Sequence, residues 1–299
     1  MPTKYQKARL WTTDASGARV SEDVEPKDIT DRPDRADLTC VGCPVPLSWV
    51  TPGVTRAGDD RGAFLRLYPK SEHAPDCRLN FKTMMQGERA KKDLDIDSRE
   101  KKFFIKLPGE SRKSVPQRTS SSTQKRSNAP SWATTFGGVK RIRRFLEQFA
   151  DADEFMNQMR VEYRNADDDV DVVFWRDFCF DISDEAALAK YYGRVRYLGR
   201  SVAEKIAPAA ITMSITEGTT PTSSWDLQRV RAQADFTVKN NAGSDVALVI
   251  AVYSADKVNG LVPGDRIMVL GHATTWEWSN GKTAEIRFDV EHSWQIEKY

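Results

Sequence analysis

The stretch Leu261-Val262-Pro263-Gly264-Asp265-Arg266-Ile267-Met268-Val269-Leu270-Gly271-His272, running on to Trp276-Glu277-Trp278, decides how the last third of the chain is read. Pro263-Gly264-Asp265 supplies a turn, and the turn launches a strand with Ile267, Val269 and Gly271 on one face. A loop carrying two tryptophans follows. From Lys282 to Val290, Ala284, Ile286, Phe288 and Val290 alternate with Glu285, Arg287 and Asp289, the period of a half-buried strand.

Working outward from this stretch, Arg194–Val202, Ala209–Thr216, Arg229–Lys239, Asp245–Tyr253 and Trp294–Glu297 read as further strands. Within the third of these, Val230, Ala232, Ala234, Phe236 and Val238 would face a core, with Arg229, Arg231, Gln233, Thr237 and Lys239 outside. Asn240 to Ser244 makes a hairpin loop. Asp245 to Tyr253 is almost wholly apolar, which suits a central strand covered on both sides. Short strands divided by Gly, Pro and Asn turns indicate an all-β barrel or sandwich over 192–299, with a brief helix over Asp184–Tyr192 leading into it.

The succession of an apolar strand, a short link, Pro-Gly-Asp, a strand ending in Gly271, a loop and a last strand resembles the end of an OB-fold domain of the single-stranded-DNA-binding (SSB-like) kind. The resemblance covers about the last hundred residues and implies an OB-like barrel that holds single-stranded nucleic acid, most readily DNA, across its second and third strands. That task needs cations for phosphates and flat rings for bases. The residues on or beside such a face are Arg194, Arg196, Tyr197, Arg229, Arg231, Lys239, Tyr253, Trp276, Trp278, Lys282 and Arg287. Trp276 and Trp278, two apart, would point the same way in a strand, and each suits either base stacking or core packing. Trp225 and Trp294 read as core residues.

The sharpest local motif lies near the other end. Cys40-Val41-Gly42-Cys43 and His73-Ala74-Pro75-Asp76-Cys77 combine as C-x2-C-x29-H-x3-C. Two thiolates on a tight turn suit two corners of a tetrahedral zinc site, and a His and a Cys four apart suit the others. A strand over Ala63–Tyr68 lies between the two pairs, as in a zinc ribbon. A Cys40–Cys43 redox pair lacks a surrounding βαβ pattern, a disulfide does not suit a cytosolic chain, and buried free thiols are the plain alternative. With four protein ligands and no open position, Zn2+ would be structural. In spacing the segment is similar to the CCHC-type modules that begin many bacterial proteins acting on DNA. Cys179, in an aromatic run, reads as core.

A chain of 299 residues with 39% apolar and 29% charged residues suits two or three compact domains and some polar linker. The expected layout is α+β multidomain: a zinc-ribbon-like module over 1-109, a flexible basic linker over 110-135, a helical and acidic middle over 136-191, and the barrel over 192-299. Residues 1–36 are polar and offer little core. Charge is uneven beneath a net +2: residues 78–144 carry 18 Lys/Arg against 6 Asp/Glu, and residues 151–185 carry 3 against 12. The middle segment holds one well-patterned helix, with Val139, Ile142, Phe145, Leu146 and Phe149 at helical spacing, and a second over Asp153–Met159.

No apolar run approaches the ~20 residues of a membrane span. With no apolar leader at Met1, a cytoplasmic location is expected, and the SSB-like and CCHC-type resemblances imply a bacterial DNA-metabolism or mobile-element protein. No nucleophile–base set stands out. A second reading is a metal-dependent nuclease of DNA processing or defence, drawing acids from Asp167–Asp177 or Asp181. A third is an adaptor that binds a protein partner through the barrel and the aromatic run Val172–Phe180.

Overall fold

The computed structural model describes residues 3–54, 58–100, 102–108, 132–164, 169–198, 208–222, 227–240, 242–278 and 281–299. The fold is mixed α+β, mostly sheet. It divides into two compact units, Met1–Lys92 with Arg141–Gln158, and Asp93–Lys140 with Met159–Tyr299. The chain therefore leaves and re-enters each unit within the segments 1-109 and 136-191. Strand pairing is the reason, because partners far apart in sequence complete each sheet. Most of the expected linker, 109–131, lies outside the described residues.

The first unit contains β1 (Lys4–Tyr5), β2 (Ala8–Thr13), β3 (Arg19–Val24), β4 (Leu38–Cys40), β5 (Cys43–Val50), β6 (Gly53–Val54), β7 (Asp60–Arg61), β8 (Phe64–Leu67) and α1 (Phe81–Lys91). Seven strands form one sheet in the order β11-β1-β8-β5-β4-β2-β3, where β11 is Phe149–Asp151. The first 36 residues thus contribute three strands, and Tyr5 and Ala8 are buried. Polar composition hides them, because β3 is mostly exposed and β2 only partly buried. A ring cluster of Phe81, Phe145, Phe149 and Phe155 packs beside α1, with Phe81 stacked on Phe155 at 4.6 Å. The buried Glu88 carboxylate of α1 receives Arg141 at 2.7 Å.

The second unit opens with β9 (Asp95–Arg99) and β10 (Lys102–Lys106). Then come α2 (Trp132–Leu146), whose last turns belong to the first unit, and α3 (Asp153–Gln158), which lies wholly in it. The second unit resumes with β12 (Met159–Arg164), β13 (Val170–Phe174), α4 (Trp175–Phe178), β14 (Cys179–Asp181) and α5 (Glu185–Leu198). One four-stranded sheet runs β13-β12-β10-β9, with β10 and β12 parallel. The middle segment therefore holds strands as well as helices, because its β-branched and aromatic runs find partners in β10 and β15.

The C-terminal strands are β15 (Ala209–Ser214), β16 (Glu217–Pro221), β17 (Gln228–Lys239), β18 (Asp245–Ser254), β19 (Arg266–Gly271), β20 (Ala273–Glu277), β21 (Thr283–Asp289) and β22 (Ile296–Lys298). They make two sheets, β14-β15-β19-β22 and β16-β17-β18-β21-β20. Only Ile215 and Thr216 separate β15 from β16, and only His272 separates β19 from β20. One apolar core serves both sheets, with Ile211, Val269, Val230, Ile250 and Ile286 among its members.

Two expectations change here. Arg194–Leu198 is the end of α5 rather than a strand, since Leu188, Tyr191, Tyr192 and Val195 recur at helical spacing and are buried in that core. The loop expected after Gly271 is strand β20, paired antiparallel with β21. Its Thr-rich sequence suits an edge position.

Gly138 on α2 marks a close approach. A Cβ there would lie 2.4 Å from Leu94 Cγ, and Leu94 is itself buried. Gly138→Ala is expected to lower stability by about 1–3 kcal/mol through overpacking, outweighing the roughly 1 kcal/mol that alanine gains in a helix. Gly87→Ala on α1, with nothing within 4 Å, is expected to stabilise slightly. Urea denaturation of the two variants checks the opposite signs.

Candidate functional site

In the first unit, the turn between β4 and β5 places Cys40 opposite Cys43. The loop between β8 and α1 brings His73 and Cys77 to the same point. The four ligand atoms lie within 4.8 Å of one another, and no other group of three or more His, Cys, Asp and Glu ligands is found among the described residues. Cys40 Sγ is 3.8 Å from Cys77 Sγ, and His73 Nδ1 is 3.4 Å from both Cys43 Sγ and Cys77 Sγ. A tetrahedral ion with metal–sulfur bonds of about 2.3 Å separates its sulfurs by about 3.8 Å, so the set fits one ion.

The supports around this set are also those of a ligand cage. The Gly42 and Leu79 amides donate to Cys40 Sγ and Cys77 Sγ. A Cβ on Gly42 would meet Cys77 Sγ at 3.0 Å, so the knuckle needs glycine there. Asn80 caps α1 by accepting from the Thr83 amide, and its amide group donates to the carbonyls of His73 and Ala74. Tyr5 Oη sits 2.8 Å from His73 Nε2, which orients the ring with Nδ1 toward the sulfurs. Burial lowers the His73 pKa, which favours the neutral, ligating form, and raises the Tyr5 phenol, which stays protonated. Burial also pushes the Cys40 thiol up to about 12, so a cation is what would make a thiolate affordable in that place.

In the second unit, strand register assembles a face on the five-stranded sheet. Arg231 stands opposite Ala251, and Ala251 opposite Arg287; Arg229 stands opposite Tyr253, and Trp276 opposite Glu285. Six of the expected residues, Arg229, Arg231, Tyr253, Trp276, Trp278 and Arg287, therefore gather together. Arg231 Cζ lies 4.5 Å from the Trp278 ring centre, and Arg287 Cζ lies 4.0 Å from that of Tyr253. The Trp276 side chain is 65% exposed.

Carboxylates balance these cations. Glu217 pairs with Arg229 at 3.5 Å and Arg231 at 3.2 Å, and Asp289 pairs with Arg287 at 2.8 Å. Glu285, 2% exposed, receives Arg231 at 3.3 Å and the Tyr253 hydroxyl at 2.8 Å. Burial and then that hydrogen bond hold the Tyr253 phenol above its ordinary range, so it remains a donor. Glu217 and Asp289 are solvent-facing, whereas the arginines they pair with are largely covered, Arg229 at 17% and Arg231 at 15% exposure. Three buried N–H groups, Arg229 Nε, Arg231 Nε and Trp278 Nε1, have no hydrogen-bond partner among the described residues.

The remaining expected residues lie elsewhere. Arg194, Arg196 and Tyr197 are on α5, where Arg194 approaches Asp177 at 4.0 Å and Arg196 donates to the Lys239 carbonyl. Lys239 pairs with Asp245 across the hairpin, and Lys282 leads into β21. Trp294 is stacked between Trp132 and His292, and Trp225 lies outside the described residues. The acids of the nuclease reading are dispersed: Asp177 pairs with Lys190, Asp181 accepts from Thr212 and pairs with Arg266, and Asp171 accepts from Tyr163. Asp167 and Asp168 lie outside the described residues. No helix among the described residues is long and apolar enough to cross a membrane.

Sequence reasoning misses Tyr5, Glu217 and Glu285. Glu285 has a visible signal, since it alternates in phase with Arg287 on the outer face of its strand. Tyr5 has none, because its partner is 68 residues away.

No family profile and no curated protein matches the chain. Among solved structures it is similar to the second single-stranded DNA-binding protein (SSBb) of Mycobacterium smegmatis, with a TM-score of 0.21 and 16% identity over 31% of this chain and 87% of that one. It is similar to a small single-stranded DNA-binding protein of Streptomyces coelicolor, with a TM-score of 0.21 and 10% identity over 31% of this chain and 94% of that one. A deletion variant of the single-stranded DNA-binding protein of Thermus aquaticus gives 0.20 and 14%, over 33% and 43%. Each likeness spans about a third of this chain.

Tyr5→Phe keeps the ring and removes the hydroxyl that meets His73. It is expected to weaken metal binding at the Cys/His set by about 10–100-fold, read by competition against a chromophoric chelator.

Proposed function

We propose that this chain is a binding protein for single-stranded DNA, with a structural Zn2+ held by Cys40, Cys43, His73 and Cys77. The single observation that carries the nucleic-acid reading is an exposed Trp276 on the same sheet face as Tyr253, Arg231 and Arg287. A ring that stacks on bases and guanidinium groups that meet phosphates are what a sequence-tolerant single-strand platform requires.

The strand pairings support an OB-like barrel beneath that face. β15 pairs with β19; β16, β17, β18, β21 and β20 pair in turn; and β15 runs on into β16 as β19 does into β20. Followed through those two corners, the pairing would close a circuit of five strands. The proposed face would then reach from the second and third, β17 with Arg231 and β18 with Tyr253, on to Arg287 of β21 and Trp276 of β20, so that it includes the face OB-folds use. α5 contributes Leu188, Tyr191, Tyr192 and Val195 to the core and would close one end.

Phosphate oxygens would replace Glu217 and Asp289, which reach solvent, while the buried Glu285 keeps holding Arg231 and Tyr253 in place. The zinc assignment rests on the ligand chemistry, three sulfurs and one imidazole nitrogen at tetrahedral spacing. Its role is structural because all four positions are protein ligands.

Fluorescence anisotropy with a labelled oligo(dT) tests the reading. Binding is expected to weaken as salt rises. Trp276→Ala is expected to cost about 1–3 kcal/mol, roughly 5- to 150-fold in affinity. Arg231→Ala is expected to flatten the salt dependence by about 0.7 of a log unit per log unit of salt for each phosphate that the side chain neutralises. Absence of salt-sensitive binding at tens of micromolar, on the order of ordinary non-specific affinity, would sink the proposal.

A further inference from the structure

β2 gives its two faces different surroundings. Ala8 is buried, and Leu10 stands opposite the buried Leu38. Arg9, Trp11 and Thr13 take the other face, in register with Thr39 of β4 and with Asp23, Ser21 and Arg19 of β3. Trp11 is therefore a large ring outside the buried core. It is nonetheless held in one place: its Nε1 donates to Thr39 Oγ1 at 3.1 Å, and Arg19 Cζ lies 4.9 Å from its ring centre.

Trp11, Arg9 and Arg19 line a cavity of about 360 Å3, and the turn Cys40–Cys43 supplies part of its wall. Backbone carbonyls fix both cations. Val41 O accepts from Arg9 Nη2 at 3.1 Å, and Ala36 O accepts from Arg19 Nη2 at 3.0 Å. Each arginine also meets an exposed carboxylate, Asp23 at 3.4 Å and Asp37 at 3.1 Å. Ion pairs at the surface contribute little to stability, so the carbonyls rather than the carboxylates set where the guanidinium groups stand.

We infer that this cavity is a second nucleotide site, in which one base of a single strand lies against Trp11 and the adjoining phosphate meets Arg9 and Arg19. The inference rests on the reading of the chain as a single-strand binder, but on a different unit from the barrel. An indole accepts any base through its flat face, and cations beside it suit the backbone. The cavity lies near the lower end of the roughly 300–1,000 Å3 of small-ligand sites, which suits one nucleotide better than a helix of a protein partner. A phosphate oxygen would take the place of Asp23 or Asp37, while Val41 and Ala36 keep their arginines. Thr39 and Val41 are the chain neighbours of Cys40, so the turn that presents the metal ligands also positions this site.

Photocross-linking of the full chain to oligo(dT) carrying 5-iodouracil tests this, with adducts mapped by mass spectrometry after trypsin digestion. An adduct at Trp11, in the peptide Leu10–Arg19, is expected in the wild type and in Trp276→Ala alike. Arg19→Gln, at an exposed position, is expected to lower the yield at Trp11 and to flatten its salt dependence by about 0.7 of a log unit per log unit of salt. In the Trp276→Ala background, Trp11→Ala is expected to lower the remaining affinity for oligo(dT) by roughly 5- to 150-fold. Adducts at Trp276 with none at Trp11 would overturn this inference and leave the barrel reading standing. An adduct at Trp11 with none at Trp276, and unchanged affinity in Trp276→Ala, would do the reverse. A yield at Trp11 that ignores both salt and Arg19→Gln, or that anionic vesicles suppress better than unlabelled oligo(dT), would also overturn the inference.

Discussion

Ala251 has no exposed surface, yet it lies outside the core that the two C-terminal sheets share. The register sets it between Arg231 and Arg287 on the outer face of β18. A central strand so apolar has to be covered on both sides, and the outer cover here is polar: guanidinium groups over Tyr253 and Trp278, tied by Glu217, Glu285 and Asp289. Long side chains can shield apolar surface with their methylene stems while their heads stay wet. The face that covers β18 is then also a face of ordered donors and rings.

Within that cover the carboxylates are unequal. Glu285 is buried and holds two partners, so removing it would strand a cation and a phenol in a dry place. Glu217 and Asp289 reach solvent. The division separates a fixed frame from exchangeable counter-charges. A bare basic face would repel itself, whereas here the carboxylates hold the arginines in place over β18.

Much of this is legible in the sequence, and the reasons are local. The Cys/His set can be read because each ligand pair is closely spaced and the residue types are scarce. β17, β18 and β21 can be read because alternation or an apolar run over seven or more residues fixes the element type. Arg194 to Leu198 misleads because Arg194 and Arg196 alternate with Val195 and Tyr197 as in a strand when the preceding Leu188 and Tyr191 are left out of the window. β1 to β3 escape notice because a sheet margin needs few apolar residues. The counter-ions are invisible for a different reason: Arg231 meets a carboxylate 54 positions away, and no pattern in one chain announces that.

The pairing of Lys4 with Asp151 has a consequence for how the molecule is made. β1 emerges from the ribosome well over a hundred residues before its outer neighbour β11. At usual elongation rates the delay is on the order of ten seconds. During that interval the growing chain carries an open sheet margin at β1, and closing it must wait for β11 to appear. The nascent protein thus has a window of vulnerability built into its order of synthesis, and a chaperone that shields the first few strands would find its client there.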